Sequence, residues 1–446
     1  MDEISYPFLA FQVDNVKILL VNPPVYDFKL YNEWMNPTGL MQISSLLKRN
    51  GFETEIFDTL YSLSELKKYS TGFFTRETAA FPNTDYTISN QYYRYGMAGQ
   101  NIEAALAAKK YDAVFIGSFL TYWYPGCFEI IQTVKKLKPE IPVFLGGIYA
   151  TLCREHALKY SGADFVFSGI FNDNTLKTVA QILNFRLPEK IKTENIASDV
   201  SSLTKTYFSL SLTTGCPYQC SFCASSLLSP VASVNVFPDF EIFLLGYQNG
   251  IKDFAFFDDA LLYYLDDLEK IIFELEKRGI FFRFHAPNGL HINRINENSA
   301  HFLFQHGFKT LRFGLEIFDK SIQQKADKDM VIRGVENLKK SGFSKKEIGF
   351  YVLLLPEVEN KKVENTIDFL KQLDVNIHIN VYSPVPGTQD YRKLSHKYPE
   401  IIEEPLLHND SVFYRKYQIF PESWVRDLKR EIRRYNSLDE TAASLF

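Results

Sequence analysis

The chain has 446 residues, 46% of them hydrophobic and 23% charged, with a formal net charge of −4. That length suits two or three domains of roughly 150 residues, and the mild acidity excludes the basic stripe of a nucleic-acid binder. No apolar run nears the roughly 20 residues that cross a bilayer, the acidic start MDEISYPFLAF does not read as a signal peptide, and five cysteines, three of them clustered, point to metal or redox use in a reducing cytoplasm rather than a disulfide framework.

The first half reads as repeated strand–helix units. Residues 16–21 (VKILLV) form a short apolar strand that stops at Asn22, Pro23 and Pro24, since two prolines cannot continue a ladder. Thr38 opens a helix over 39–49 that Gly51 closes, and a strand follows at 53–57. The beat resumes with strands at 113–117, 143–145 and 165–167 and helices at 128–137, 151–160 and 174–183. Five such units predict a parallel sheet covered on both faces. Ligands in these sheets sit beyond the C-terminal strand ends, which directs attention to Asn22, Pro23 and Pro24, to Ser118 and Thr121, and to Gly146 and Gly147. The paired glycines also serve as tight turns. No G-x-G-x-x-G follows the first strand, which disfavours a dinucleotide. Residues 61–100, aromatic and polar, break the rhythm and read either as a cover over a ligand or as an ordered surface lobe.

Periodicity fades over 184–206, where the boundary between domains at 1–190 and 200–390 is expected. A strand at 207–212 then runs into Cys216-Pro-Tyr-Gln-Cys220-Ser-Phe222-Cys223. A C-x3-C-x2-C loop can close three thiolates around one metal centre. Electron-carrying [4Fe–4S] clusters use four protein thiolates, so three leave one iron open to bind something else. Strands at 253–257, 281–285, 310–315, 348–354 and 376–382 alternate with helices, giving six strands and a partial β/α barrel whose chemistry would lie at the C-terminal strand ends. Residues 391–446 form a helical tail. Residues 423–435 read as one packed helix whose Arg and Lys residues form a solvated face.

The cysteine spacing, with Phe222 inside it and after the first strand of a repeated β/α domain, resembles the radical SAM superfamily. The resemblance implies a [4Fe–4S] cluster on Cys216, Cys220 and Cys223, S-adenosyl-L-methionine chelating the open iron, and a 5′-deoxyadenosyl radical formed on reduction by a flavodoxin or ferredoxin. It also implies roles at the other strand ends. Asp258 or Asp259 would receive the methionine ammonium, Glu316 the ribose hydroxyls, and Phe222 would wall the adenine. Arg283, His285 and Asn288 would face substrate or S-adenosylmethionine, with His285 alternatively a satisfied structural histidine, and Pro386-Gly387-Thr388 matches the family's closing turn.

The stretches LLVNPP (19–24), GLMQISSLLKRNGFE and FLGGIYAT (144–151) resemble the cobalamin-binding domain that precedes many radical SAM domains. The implied fold class is α/β: an N-terminal Rossmann-like (flavodoxin-like, cobalamin-binding type) parallel sheet, a partial (β/α)6 radical SAM barrel and a helical C-terminal tail. The D-x-H-x-x-G loop that supplies cobalamin's lower histidine is absent. Cobalamin-dependent methylation of an unactivated carbon in a small-molecule or lipid substrate is the leading expectation. The alternatives are rearrangement or oxidation without cobalamin, a non-catalytic Fe–S electron-transfer or sensor protein, and a structural zinc site at the cysteines, which would want a fourth Cys or His ligand. Nothing in the residues identifies the substrate.

Overall fold

The computed structural model describes residues 15–82, 90–192, 206–229, 240–319, 322 and 325–442. The first half builds one parallel sheet from β1 (Lys17–Asn22), β2 (Glu53–Asp58), β3 (Ala113–Ser118), β4 (Val143–Gly147) and β5 (Phe165–Val166). Its spatial order is 5-4-3-1-2, the flavodoxin-like arrangement with a switch point between β1 and β3. Residues 18–21 of β1 are apolar and buried because both of its faces are covered. Leu19 and Val21 enter one core, and Ile18 and Leu20 enter the other. The helix Tyr124–Leu137 crosses so close to the Pro23-Pro24 turn that a Cβ on Gly126 would lie 1.8 Å from the Pro24 carbonyl oxygen, which only glycine avoids.

The second half is a six-stranded sheet, parallel throughout and in chain order: β6 (Tyr207–Leu210), β7 (Asp253–Phe256), β8 (Arg283–Leu290), β9 (Phe308–Glu316), β10 (Ile348–Leu354) and β11 (Asn376–Val381). This is the expected partial (β/α)6 barrel. The domain boundary expected at 184–206 falls largely on residues 193–205, outside the described residues. The open edge of β11 is closed by the tail. Asn436, on the 21-residue helix Glu422–Ala442, donates from its side-chain amide to the Ile377 carbonyl (2.8 Å) and accepts from the Ile377 N–H (3.1 Å). The tail is helical. Gln389–Lys397, Glu400–Glu403 and Asp410–Lys416 precede the long one.

The aromatic segment 61–100 is an ordered lobe. Arg76–Ala79 and Tyr92–Tyr95 pair antiparallel with each other, Tyr92–Tyr95 pairs with Val25–Asp27, and Leu63–Leu66 pairs with Gly72–Phe74. Residues 83–89 lie outside the description. This lobe and the segment that follows β1 reach the inner, N-terminal part of the barrel. Trp34 stacks on His285 with ring centroids 4.1 Å apart, Ser70 donates to Asp253 (2.7 Å), and the Tyr207 hydroxyl donates to Asn32 Oδ1 (3.0 Å) and the Met35 carbonyl (2.8 Å). Among the described residues no helix is long and apolar enough to cross a membrane.

Candidate active site

The cysteine loop leaves β6 and is anchored on both sides by groups other than its thiols. Thr213 donates its N–H (2.7 Å) and its hydroxyl (2.8 Å) to Asp258 Oδ1. Farther on, Ser221 donates to Asp390 Oδ2 (2.8 Å) and its carbonyl accepts from the Asp390 N–H (3.0 Å). Asp390 starts the helix after the Pro386-Gly387-Thr388 turn, so that turn does lie beside the cysteines. All three thiols open on one cavity of about 880 Å³ within the barrel, together with Phe222, Asp259, Asn288 and Glu316. Among the described residues no three Cys, His, Asp or Glu side chains close on one point as a single-ion shell would. Three thiols lining one shared cavity suit a [4Fe–4S] cluster, where each thiolate would ligate one iron. Burial pushes the Cys216 and Cys220 thiols up.

The two neighbouring acids of β7's exit divide their tasks. Asp259 faces the cavity, and burial pushes its carboxyl up against hydrogen bonds from Ser225 and Asn288. Asp258 points the other way, 4% exposed. Its Oδ2 is buried without a partner, and burial raises its pKa to about 6 despite Thr213. Asp258 thus does not line the cavity, as Asp259 does, and holds the loop through Thr213 instead.

Glu316 ends β9 with φ +64°, a left-handed conformation that a non-glycine residue adopts at a cost and that clusters at functional sites. Lys325 donates to its carboxylate at 3.3 Å and also lines the cavity. Burial pushes the Glu316 carboxyl up, with Lys325 opposing.

His285 does not reach the cavity. It is fully buried, its Nε2 lies 3.1 Å from Asp253 Oδ1 and its Nδ1 lies 3.0 Å from Thr310 Oγ1. The expected strand stopped at residue 285, whereas β8 continues to Leu290. Asn288 therefore stands at the exit, donating to the Phe257 carbonyl (3.0 Å), and His285 sits in mid-strand. Sequence reasoning missed His291, whose Nε2 is 3.9 Å from the Cys216 sulfur, whose ring stacks on Tyr218, and which burial pushes down to about 4. It missed Lys325 as well.

The candidates on the first sheet gather at the C-terminal ends of β1, β3 and β4, and none of them lines the barrel cavity. Asn22 donates to Asp58 (2.6 Å). Pro23 and Pro24 turn under Gly126. The Ser118 hydroxyl donates to the Gly146 carbonyl (2.6 Å), and Thr121 bonds His408 Nδ1 (3.0 Å) of the tail. Gly147 has φ +94°, and a Cβ there would meet the Ser118 carbonyl at 2.2 Å. Gly146 is different. A Cβ on it would touch only the Phe167 carbonyl, at 3.9 Å, so room stands open there.

Residues 210–370 match the Radical SAM superfamily. An uncharacterised methyltransferase of Pyrococcus horikoshii is 29% identical over 184 residues, covering 39% of this chain and 39% of its own length. The apo structure of OxsB, a cobalamin-dependent S-adenosylmethionine radical enzyme, superposes on 89% of this chain and 56% of its own with a TM-score of 0.53 at 13% identity, a likeness of fold. The chain thus spans about two fifths of the curated relative and just over half of the structural one.

Proposed function

We propose that this chain, built around its radical SAM domain at residues 210–370, cleaves S-adenosylmethionine reductively and methylates a small molecule held in the barrel cavity. The convergence of Cys216, Cys220, Cys223, Asp259 and Glu316 on one cavity carries this reading. A [4Fe–4S] cluster on the three thiolates, reduced by a flavodoxin or ferredoxin, would supply the electron that releases a 5′-deoxyadenosyl radical. The protein's own part is to bind and orient. Asp259 accepts the methionine ammonium, Glu316 accepts ribose hydroxyls, and Phe222 walls the adenine. Lys325 holds the Glu316 carboxylate in place. Asp258 fixes the loop through Thr213. Anaerobic reconstitution tests the reading: about four irons per chain and 5′-deoxyadenosine on reduction support it, whereas zinc without iron overturns it.

The methylation half draws support from the flavodoxin-like sheet before the barrel and from the open room at Gly146. Cobalamin bound there would supply a cobalt centre that carries the methyl group. Gly146 would make the close approach, with Ser118 beside it. The hydroxyls of Ser118 and Thr121 are already taken by Gly146 and His408, which favours a second reading, rearrangement or oxidation without cobalamin. Cobalt retained after incubation with hydroxocobalamin and desalting separates the two. Gly146→Val should lower that retention at least about tenfold and leave iron content unchanged, because Gly146 lies outside the left-handed region and its added carbons fill ligand space rather than protein. Wild-type protein that keeps no cobalt removes the methyltransferase reading.

A further inference from the structure

The barrel cavity has a second end with a different charge. Lys29 reaches it from the segment after β1, Arg312 from mid-β9, and Lys429 and Arg433 from the long C-terminal helix. Among the described residues that line this end, Glu33 is the single carboxylate. The Arg312 guanidinium donates only to the Leu311 and Glu347 carbonyls, each at 3.3 Å, and no carboxylate of the described residues stands within ion-pair distance of it. Beside it, His378 Nε2 is buried with no hydrogen-bond partner among the described residues. Gly349 makes room for both: a Cβ there would come within 2.8 Å of His378 Nε2 and 2.9 Å of Arg312 Nη1. The groups feel one another. Burial, with Arg312 and Lys29 adding to it, pushes His378 down to about 3, and burial also depresses Lys429, with Lys29 and Arg433 adding to it and Asp410 opposing.

Arg312 and Lys429 are half-buried, and Lys29 and Arg433 are exposed beside them; like charges taken partly out of water destabilise a fold unless something compensates them. Here the cations come from three separate parts of the chain and meet inside a cavity whose other end carries the cysteines. We propose that Arg312, Lys29, Lys429 and Arg433 bind an oxyanionic group of the substrate, a phosphate or a carboxylate, so that the opposite end of an anionic small molecule faces the cysteine loop. This rests on the reading of the cavity as a radical SAM active site and narrows its substrate to anions.

The test is calorimetric titration of inorganic pyrophosphate and of succinate into cluster-loaded protein, with S-adenosylmethionine present at saturation. At least one of the two binds, more weakly as salt is raised. The double substitution Lys429→Gln, Arg433→Gln weakens that binding at least about tenfold, the scale of lost charge-assisted hydrogen bonds. Arg312→Gln does the same, and because Arg312 lies deep in the barrel, the two helix substitutions keep the test decisive if that variant folds poorly. Tighter pyrophosphate assigns a phosphoryl group; tighter succinate assigns a carboxylate. Binding of neither anion, unchanged binding in the double variant, or competition by S-adenosylmethionine overturns the subsite. Protein that makes 5′-deoxyadenosine yet binds neither anion sinks the subsite alone. Protein that binds pyrophosphate but forms no 5′-deoxyadenosine on reduction sinks the radical reading alone.

Discussion

Cys220→Ala should reconstitute with little or no iron, and its 5′-deoxyadenosine formation should fall to the level of a protein-free control. Its stability in denaturant should stay within about 0.5 kcal/mol of the parent, as for a side chain outside the packed core. The two halves of this expectation separate a ligand from a structural cysteine. The Cys220 side chain contributes to none of the hydrophobic clusters. The loop is anchored on both sides of it, by Thr213 on Asp258 and by Ser221 on Asp390, so it keeps its course when the thiol is gone. Three thiolates are already one fewer than a cluster that only carries electrons uses, and two leave a second iron without protein. Iron content measured beside urea midpoints checks both halves. A variant that keeps its iron but melts early would mean that the sulfur serves packing.

The parts of the site that were legible in sequence are those where residue type and strand end coincide. The apolar runs of β1, β3 and β4 stop at prolines, a serine and glycines, and the cysteine loop follows a buried strand, so the exits fall where a parallel sheet puts them. Asp259 and Glu316 stand at such exits. His285 failed for a local reason. Ala286-Pro287-Asn288-Gly289 reads as a turn, yet β8 runs through it with register shifts against β9, carrying the exit five residues onward. Asp258 and Asp259 were indistinguishable because adjacent residues point oppositely and only the strand's register decides which one faces inward.

The far end of the cavity was hidden for a different reason. The charged face of helix Glu422–Ala442 looks the same whether it meets water or a cavity: Arg433 is exposed, as a solvated face predicts, yet it and the half-buried Lys429 both line the cavity. Lys29, Glu33 and Lys325 lie outside periodic segments, where sequence offers no face to assign. The tail's hold on the first sheet, through His408 on Thr121 and Glu404 on Tyr124 (3.1 Å), joins residues nearly 300 positions apart and leaves no local trace.

Asp253→Ala should cost about 3–5 kcal/mol, the range for removing one member of a buried charged pair, and toward its lower end because the Arg283 head can turn to water. Asp253 is fully buried at the start of β7. It accepts from Arg283 Nε (2.6 Å) and Nη2 (2.7 Å), from Ser70 Oγ (2.7 Å) and from His285 Nε2 (3.1 Å). Burial pushes its carboxyl up, but the hydrogen bonds from His285, Arg283 and Ser70 outweigh that and hold it well below the usual 3.8. A carboxyl depressed in the folded state stabilises the fold above its unfolded value, and that stabilisation is lost as pH falls from about 3.8 through the folded value. His285 acts in the same direction at higher pH. Burial lowers it from 6.5, so the unfolded chain takes up its proton first and stability declines as pH drops below 6.5. Urea midpoints of the parent and of Asp253→Asn between pH 7 and pH 3 should therefore differ at every pH, and the variant's curve should be the flatter below pH 4. Curves that run parallel in acid would remove Asp253 as the anchor. The consequence reaches the cavity, because Trp34, which packs on His285, lies in the same segment as Lys29 and Glu33, and Asn32 of that segment pairs with Gly72 two residues from Ser70. Loosening their grip on β7 and β8 should weaken pyrophosphate binding as well, although Asp253 lies outside the cavity and carries the wrong charge to bind an anion.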